Sequence, residues 1–147
     1  MLNPALIAAV TAGAATEYTR RAGESMPYAY AFLINPLVLD HDTRQALPKR
    51  TTSHLATWVI DNEVIVAGFA ARARSLAGLV REGLRYGIRC GSLEISEGAL
   101  QGRLGVGVRP AEVGDIADIV AKAGFLGRWL TKLERPATVF ALLGVKP

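Results

Sequence analysis

Four arginines of one predicted helix recur at spacings that bring their side chains onto one face. They are Arg74, Arg81, Arg85 and Arg89. At about 100° per residue they fall within roughly 80° of one another, opposite an apolar side. That apolar side consists of Ala73, Leu76, Val80, Leu84 and Gly87. Guanidinium groups pair with carboxylates and phosphates, so the face suits an acidic protein surface, an ATPase or nucleic acid. It is also compatible with an ordinary solvated helix face.

Residue types used in hydrolase catalysis occur close together at Ser53, His54 and Asp61. The nucleophile and the base are adjacent on one predicted helix and would face apart, so we expect no catalytic triad. Cys90 follows Arg89, which would lower the pKa of the thiol, but the carboxyl end of a helix opposes that effect. We therefore expect a buried structural cysteine and no enzymatic activity.

Metal and phosphate sites are equally unsupported by the residue pattern. His41 lies between Asp40 and Asp42, but a metal would need further ligands and the other histidine is His54. We expect a solvated loop there. The spacing of Gly102, Gly105 and Gly107 is only loosely similar to that of a phosphate-binding loop. No Lys-Ser/Thr pair follows them, so a flexible connection is expected. We assign no catalytic residue, cofactor or metal.

The elements that position the arginine face are a helix and a hairpin joined directly. Gly91 is typical of a helix end, and Leu93 and Ile95 then alternate with polar residues. The Glu97-Gly98 pair predicts the hairpin turn. A recognition helix followed by a wing is half of a winged helix-turn-helix, and that fold predicts a helix break between Ser75 and Gly78.

Further helices are predicted on both sides of this unit. Asn3 and Pro4 open a helix that ends at Gly23, whereas residues 26–39 are apolar on all sides and could form a short helix or a strand. One helical turn is expected over residues 42–46. The next helix, ending near residue 60, is expected to be capped by Thr51, Thr52 or Ser53. Residues 103–110 are expected to be a linker before a helix starting at Ala111 or Glu112, and residues 136–144 a short capped helix. Trp58 and Trp129 fall on apolar stripes and are predicted core residues.

Length and composition predict one α-rich domain over residues 1–147. Half of the residues are hydrophobic, the mean hydropathy is +0.24, and 17 basic residues against 13 acidic ones give a net charge of +4. This modest excess permits phosphate contact without requiring it. With Cys90 as the single cysteine there is no disulfide framework, and no apolar run reaches the ~18 residues of a membrane span. A cytoplasmic protein without membrane contact is expected.

Four segments together resemble a known protein family. They are residues 3–10 (NPALIAAV), 32–39 (FLINPLVL), 46–59 (ALPKRTTSHLATWV) and 126–147 (LGRWLTKLERPATVFALLGVKP). They are similar to the middle components of bacterial three-component ABC systems, with Lamassu-like defence systems as relatives. The resemblance implies a non-enzymatic adaptor between an SMC/Rad50-like ABC ATPase and an effector subunit, in defence against phage or plasmids. The resemblance carries over no catalytic residue. The polar part of its motifs is Lys49, Arg50 and Thr51, which we expect to be helix-capping and surface residues first and a partner-contact site second.

We therefore expect a mainly α, winged helix-turn-helix-like domain with a small β-hairpin that binds a partner ATPase and, through the complex, DNA. The contact residues are predicted to be the four arginines together with Lys49 and Arg50. The alternative is a free-standing winged-helix transcription regulator that reads DNA with Arg74, Arg81 and Arg85. DNA binding by the isolated chain separates the adaptor from the regulator, because only a regulator should bind tightly and sequence-selectively, with an affinity that falls steeply with salt.

Overall fold

The computed structural model describes residues 3–103, 114–133 and 135–146. Helix α1, Pro4–Ala22, begins as predicted: the Asn3 side chain accepts a hydrogen bond of 2.9 Å from the backbone N–H of Leu6. It ends at Gly23, whose φ of 77° is left-handed and whose N–H bonds to the carbonyl of Thr19. These local caps fix both ends of the helix, against which later helices and the sheet pack.

The apolar segment after α1 contains both of the structures that its pattern left open. Met26–Pro27 forms the short strand β1, a 3-10 turn covers Tyr28–Tyr30, and Ala31–Leu39 forms helix α2. Buried Asn35 donates hydrogen bonds to the Thr11 hydroxyl, at 3.0 Å, and to the Ala31 carbonyl, at 2.8 Å. One bond reaches α1 and the other stays within α2, and together they satisfy the amide N–H groups of a polar residue inside an apolar helix.

Three short helices follow: α3 (His41–Ala46), α4 (Leu55–Asp61) and α5 (Glu63–Ala67). Asp40 caps α3 through its carboxylate, which accepts from the N–H of Thr43. The prediction that Thr51, Thr52 or Ser53 caps α4 was wrong, because the N-cap residue is His54 and its side chain makes no capping bond. The main-chain carbonyl of Ser53 instead accepts from the Trp129 indole at 2.7 Å.

Helix α6, Phe69–Cys90, is continuous, so the predicted break between Ser75 and Gly78 was wrong. The chain turns earlier, at Gly68, between α5 and α6. Glycine inside a helix costs about 1 kcal/mol relative to alanine, a penalty that burial of the apolar side of α6 exceeds. Gly91 ends the helix with a φ of 82°, as predicted.

The hairpin follows directly, as the sequence predicts. Strand β2, Leu93–Ser96, pairs antiparallel with β3, Ala99–Gly102, and the turn residues Glu97 and Gly98 have φ values of 51° and 76°. Two positive φ angles are typical of a hairpin turn whose twist matches its strands. β1 adds to the free side of β3, which gives a three-stranded antiparallel sheet in the order β1-β3-β2.

The last helices are α7, Asp115–Leu130, and α8, Pro136–Leu142. The predicted start of α7 at Ala111 or Glu112 and most of the predicted linker lie outside the described residues. Helix α1 packs against α6, α7 and β3. A Cβ at Gly127 would stand 2.1 Å from the Ala14 carbonyl oxygen, so α1 and α7 touch through their backbones. The described part of the chain is mainly helical with one small sheet.

Candidate partner-binding surface

The backbone of α6 approaches its neighbours closely along one side, and this contact directs the arginines to the other side. A Cβ at Gly83 would lie 2.3 Å from Cγ2 of Ile7, and one at Gly87 would lie 2.6 Å from Cδ1 of Leu93. Val80 and Leu84 are buried on the same side. The predicted apolar side of α6 therefore faces α1 and β2, although Leu76 is only partly buried.

The four arginines that were predicted to share one face are all exposed, on the side of α6 opposite its apolar side. These side chains are Arg74, Arg81, Arg85 and Arg89, which we call the arginine face. No ion pair involves them within the part of the chain that the structure describes. Their guanidinium groups are therefore able to pair with carboxylates or phosphates of another molecule.

An apolar groove borders the arginine face between α2, α6 and the end of α8. Its cavity has a volume of about 370 Å³. The lining residues are Tyr28, Ala29, Phe32, Ala73, Arg74, Ala77, Arg81, Phe140, Val145 and Lys146. No sequence pattern indicates this groove, because its walls come from segments more than a hundred residues apart in the chain.

Lys49 and Arg50 are exposed in the loop between α3 and α4. This loop is held by a 3.2 Å hydrogen bond from Arg21 to the Thr51 hydroxyl and by the bond from the Trp129 indole to its backbone. Neither contact reaches α6, so these bonds do not link the loop to the arginine face. Trp58 and Trp129 are buried as predicted, with their rings edge to face at 6.1 Å.

A buried arginine that no sequence pattern singles out joins α3 to α7. The side chain of Arg44 is 2% exposed, and its Nε donates to Asp118 Oδ2 at 2.7 Å. Its Nη1 donates to the Val38 carbonyl at 2.7 Å, and Asp115 lies 3.9 Å from its Nη2. Two acidic residues three apart at the start of a helix were the available signal, but such residues also suit the helix dipole.

This cluster changes the acidity of two carboxyl groups. The hydrogen bond from Arg44 lowers the pKa of Asp118 below its ordinary value. The pKa of Asp40 is lowered chiefly by its hydrogen bond from the Thr43 hydroxyl, with smaller contributions from the charges of Arg72 and Arg44. Both carboxylates hold α3 in place, and neither belongs to the groove lining.

The residue types considered for catalysis do not form an ordered triad. Ser53, His54 and Asp61 line one shallow cavity of about 350 Å³, yet no hydrogen bond joins any two of their side chains in the described structure. A nucleophile and its base need such a bond. Cys90 is exposed, so the prediction of a buried cysteine was wrong, because the last turn of α6 extends beyond the contact of Gly87 with β2.

The metal and phosphate candidates also remain without a site in the residues described. His41 is exposed as expected, but it lies in the first turn of α3, so the predicted loop at this position was wrong. No group of three or more metal-ligating side chains occurs within residues 3–103, 114–133 and 135–146. Gly102 ends β3, whereas Gly105 and Gly107 lie outside the described residues.

Comparison with known families accounts for the whole chain. The family model described as ABC-three component (ABC-3C) system Middle Component 3 matches residues 1–147. The chain belongs to this family. The resemblance inferred from the sequence is thereby confirmed, and membership of the Middle Component 3 family makes the chain one part of a multi-component ABC system. Comparisons with curated proteins and with solved structures gave no match.

The Middle Component 3 family assignment gives the surface features their context. A component of a multi-protein system needs surfaces for other proteins, and the arginine face with its groove is one such candidate. Among the helices described, none is both long enough and apolar enough to cross a membrane.

Proposed function

We propose that this chain is a non-enzymatic cytoplasmic adaptor that couples an SMC/Rad50-like ABC ATPase to an effector in defence against phage or plasmids. The observation that carries the proposal is the arginine face: four exposed guanidinium groups without internal partners among the described residues, in a chain of the Middle Component 3 family. Arginine is enriched at protein interfaces and pairs with carboxylates in a fixed geometry.

We further propose that residues 1–147 act as one winged helix-turn-helix-like domain. The support is that α6 follows α5 after the turn at Gly68, which replaces the predicted break within α6, and leads directly into the β2–β3 hairpin, with β1 completing a three-stranded sheet. In this interpretation the arginine face corresponds to the exposed side of a recognition helix, and it binds an acidic protein surface in place of a DNA groove. Lys49 and Arg50 would form a second, separate contact.

The test is co-expression with the ABC ATPase and the effector proposed for the same system, followed by size-exclusion chromatography. The variant Arg85→Glu/Arg89→Glu reverses two charges of the arginine face outside the groove. Its matched control is Lys132→Glu/Arg135→Glu. This variant makes the same change in charge at two exposed positions between α7 and α8, outside the arginine face. We expect the control to co-elute with the ATPase and the arginine variant to bind at least about tenfold more weakly.

Equal binding by both variants would contradict the role of the arginine face, and no co-elution of the unmodified chain would contradict the adaptor itself. The alternative of a free-standing transcription regulator predicts tight, sequence-selective binding of duplex DNA by the isolated chain. That binding would weaken steeply with salt, by roughly 10³–10⁵ between 50 and 200 mM for a protein making several phosphate contacts. We expect weak DNA binding at best.

A further inference from the structure

We propose that the groove between α2, α6 and α8 binds an acidic, apolar segment of another component of the same system. The inference deepens the proposed adaptor function and rests on it for the source of the segment. Such an occupant would place apolar side chains in the groove and carboxylates against its basic rim. It also gives the adaptor a contact separate from that of Arg85 and Arg89, which lie further along α6.

The floor of the groove is apolar and comes from three elements. Phe32 belongs to α2 and Tyr28 to the 3-10 turn directly before it, whereas Ala73 and Ala77 belong to α6 and Phe140 to α8. The volume of about 370 Å³ lies within the range of roughly 300–1,000 Å³ found for binding sites that bury their ligands. The small side chain of Ala77 leaves room for an apolar anchor, the feature that dominates protein interfaces.

The rim of the groove is positively charged. Arg74, Arg81 and Lys146 line it, and no acidic residue does so among the described residues. None of the three cations forms an ion pair within those residues. An occupant with carboxylates beside its apolar side chains therefore complements the groove in both charge and polarity, whereas a basic segment would be repelled.

The aromatic rings favour a protein segment over single-stranded nucleic acid. Bases bind by stacking on exposed ring faces. Here the Tyr28 and Phe32 rings pack edge to face against each other, with centroids 5.3 Å apart, and Phe140 is only 5% exposed. Tyr28 and Phe32 are only partly exposed, and all three rings line the groove, which suits aliphatic or aromatic side chains of a polypeptide.

The experiment uses overlapping peptides of about five helical turns, ~18 residues each, that tile the ATPase and the effector. Binding of fluorescein-labelled peptides to the full chain is measured by fluorescence polarisation. We expect the peptides that bind to combine acidic and apolar residues. Ala77→Trp, which fills the groove without changing charge, and Arg74→Glu/Arg81→Glu should each weaken binding by about tenfold or more.

The matched controls lie outside the groove and outside the arginine face. Ala71→Trp adds the same bulk at an exposed position of α6, and Lys132→Glu/Arg135→Glu makes the same change in charge between α7 and α8. Both should bind the peptides as the unmodified chain does. Urea denaturation of each variant establishes that it is folded, and Lys146→Glu provides a groove variant outside α6 that should also bind more weakly.

Three outcomes would overturn the inference. These are no peptide binding while the intact ATPase still binds, equal weakening by groove variants and controls, or tighter binding of an oligothymidylate that is lost in the groove variants. The first of these leaves the proposed adaptor function standing. Conversely, groove-dependent peptide binding without a stable complex of the intact components would support the groove while contradicting the adaptor.

Discussion

The ion pair between Arg44 and Asp118 has one buried and one partly exposed member, and we expect its two halves to contribute unequally to stability. The Arg44 side chain is 2% exposed and that of Asp118 is 35% exposed. Removing the Asp118 carboxylate leaves the buried Arg44 guanidinium with a hydrogen bond to the Val38 carbonyl and with the Asp115 carboxylate 3.9 Å away. Breaking a buried pair in this way costs about 3–5 kcal/mol. Since water reaches the Asp118 side, we expect about 2–4 kcal/mol for Asp118→Ala.

The opposite change, Arg44→Met, should cost less although Arg44 is the more buried residue. Methionine retains an apolar stem, and water can solvate the Asp118 carboxylate that remains. The principal loss is the hydrogen bond to the Val38 carbonyl, for which we expect about 1–2 kcal/mol. Asp115→Ala is the matched control in the same helical turn: at 83% exposure its loss should be below about 1 kcal/mol, mainly through the helix dipole.

Urea denaturation followed by far-ultraviolet circular dichroism at pH 7 measures these free energies of unfolding. The reasoning would be refuted if Asp118→Ala cost no more than Arg44→Met or no more than Asp115→Ala. The double variant Arg44→Met/Asp118→Ala should cost about the same as Arg44→Met alone, because the stranded cation is then absent.

The pH dependence provides an independent check on the same pair. The pKa of Asp118 is lower in the folded protein than its ordinary value, so the unfolded chain binds the proton more readily. The stabilisation from this carboxylate is therefore present above the unfolded pKa of about 3.9 and is lost as the pH falls through the folded pKa. Asp118→Ala should lose less stability between neutral and acid pH than the unmodified chain does.

Two further predictions concern glycines of α6 and α7 and the buried Tyr30. Gly127→Ala would bring a Cβ to 2.1 Å from the Ala14 carbonyl oxygen and should destabilise the protein by about 1–3 kcal/mol or more. Gly78→Ala, with nothing within 4 Å of its new Cβ, should stabilise the protein by about 0.5–1 kcal/mol. Thermal melts that shift in the same direction for both variants would contradict this packing. Tyr30→Phe removes a hydroxyl that has no hydrogen-bond partner in the described structure, so the free energy of unfolding in urea should stay the same or rise by up to about 1 kcal/mol. A clear fall would mean that the hydroxyl is bonded. Burial raises the pKa of Tyr30 to about 12, so folding favours the protonated hydroxyl. This contribution to stability is complete below the unfolded pKa of about 10 and is lost as the pH rises through the folded pKa. Tyr30→Phe should reduce that loss.

The parts of the fold that could be predicted are those fixed by residues close together in sequence. Asn3 and Gly23 mark the ends of α1 because a cap is a contact within a few residues. The Glu97-Gly98 turn follows for the same reason, since positive φ angles are a property of the turn residues themselves. The arginine face was predictable because helical periodicity alone places its members on one side.

The parts that could not be predicted depend on contacts between distant segments. The continuity of α6 through Gly78 comes from burial against other elements, which the local glycine penalty does not reveal. Arg44 is buried because Asp118, 74 residues away, supplies its counter-ion. The groove needs Phe140 of α8 beside Ala77 of α6, and no local pattern reports that juxtaposition.

The glycines of α6 connect the packing of this helix to its proposed role. Gly83 and Gly87 weaken the helix locally, yet they let its backbone approach Ile7 and Leu93 more closely than any side chain would allow. Such close contact fixes α6 against α1 and β2, and with it the direction of the arginine face. A surface held rigidly before binding loses less conformational entropy on association. The residues that least favour a helix in isolation are therefore those that would preorganise α6 for its proposed role as a docking face.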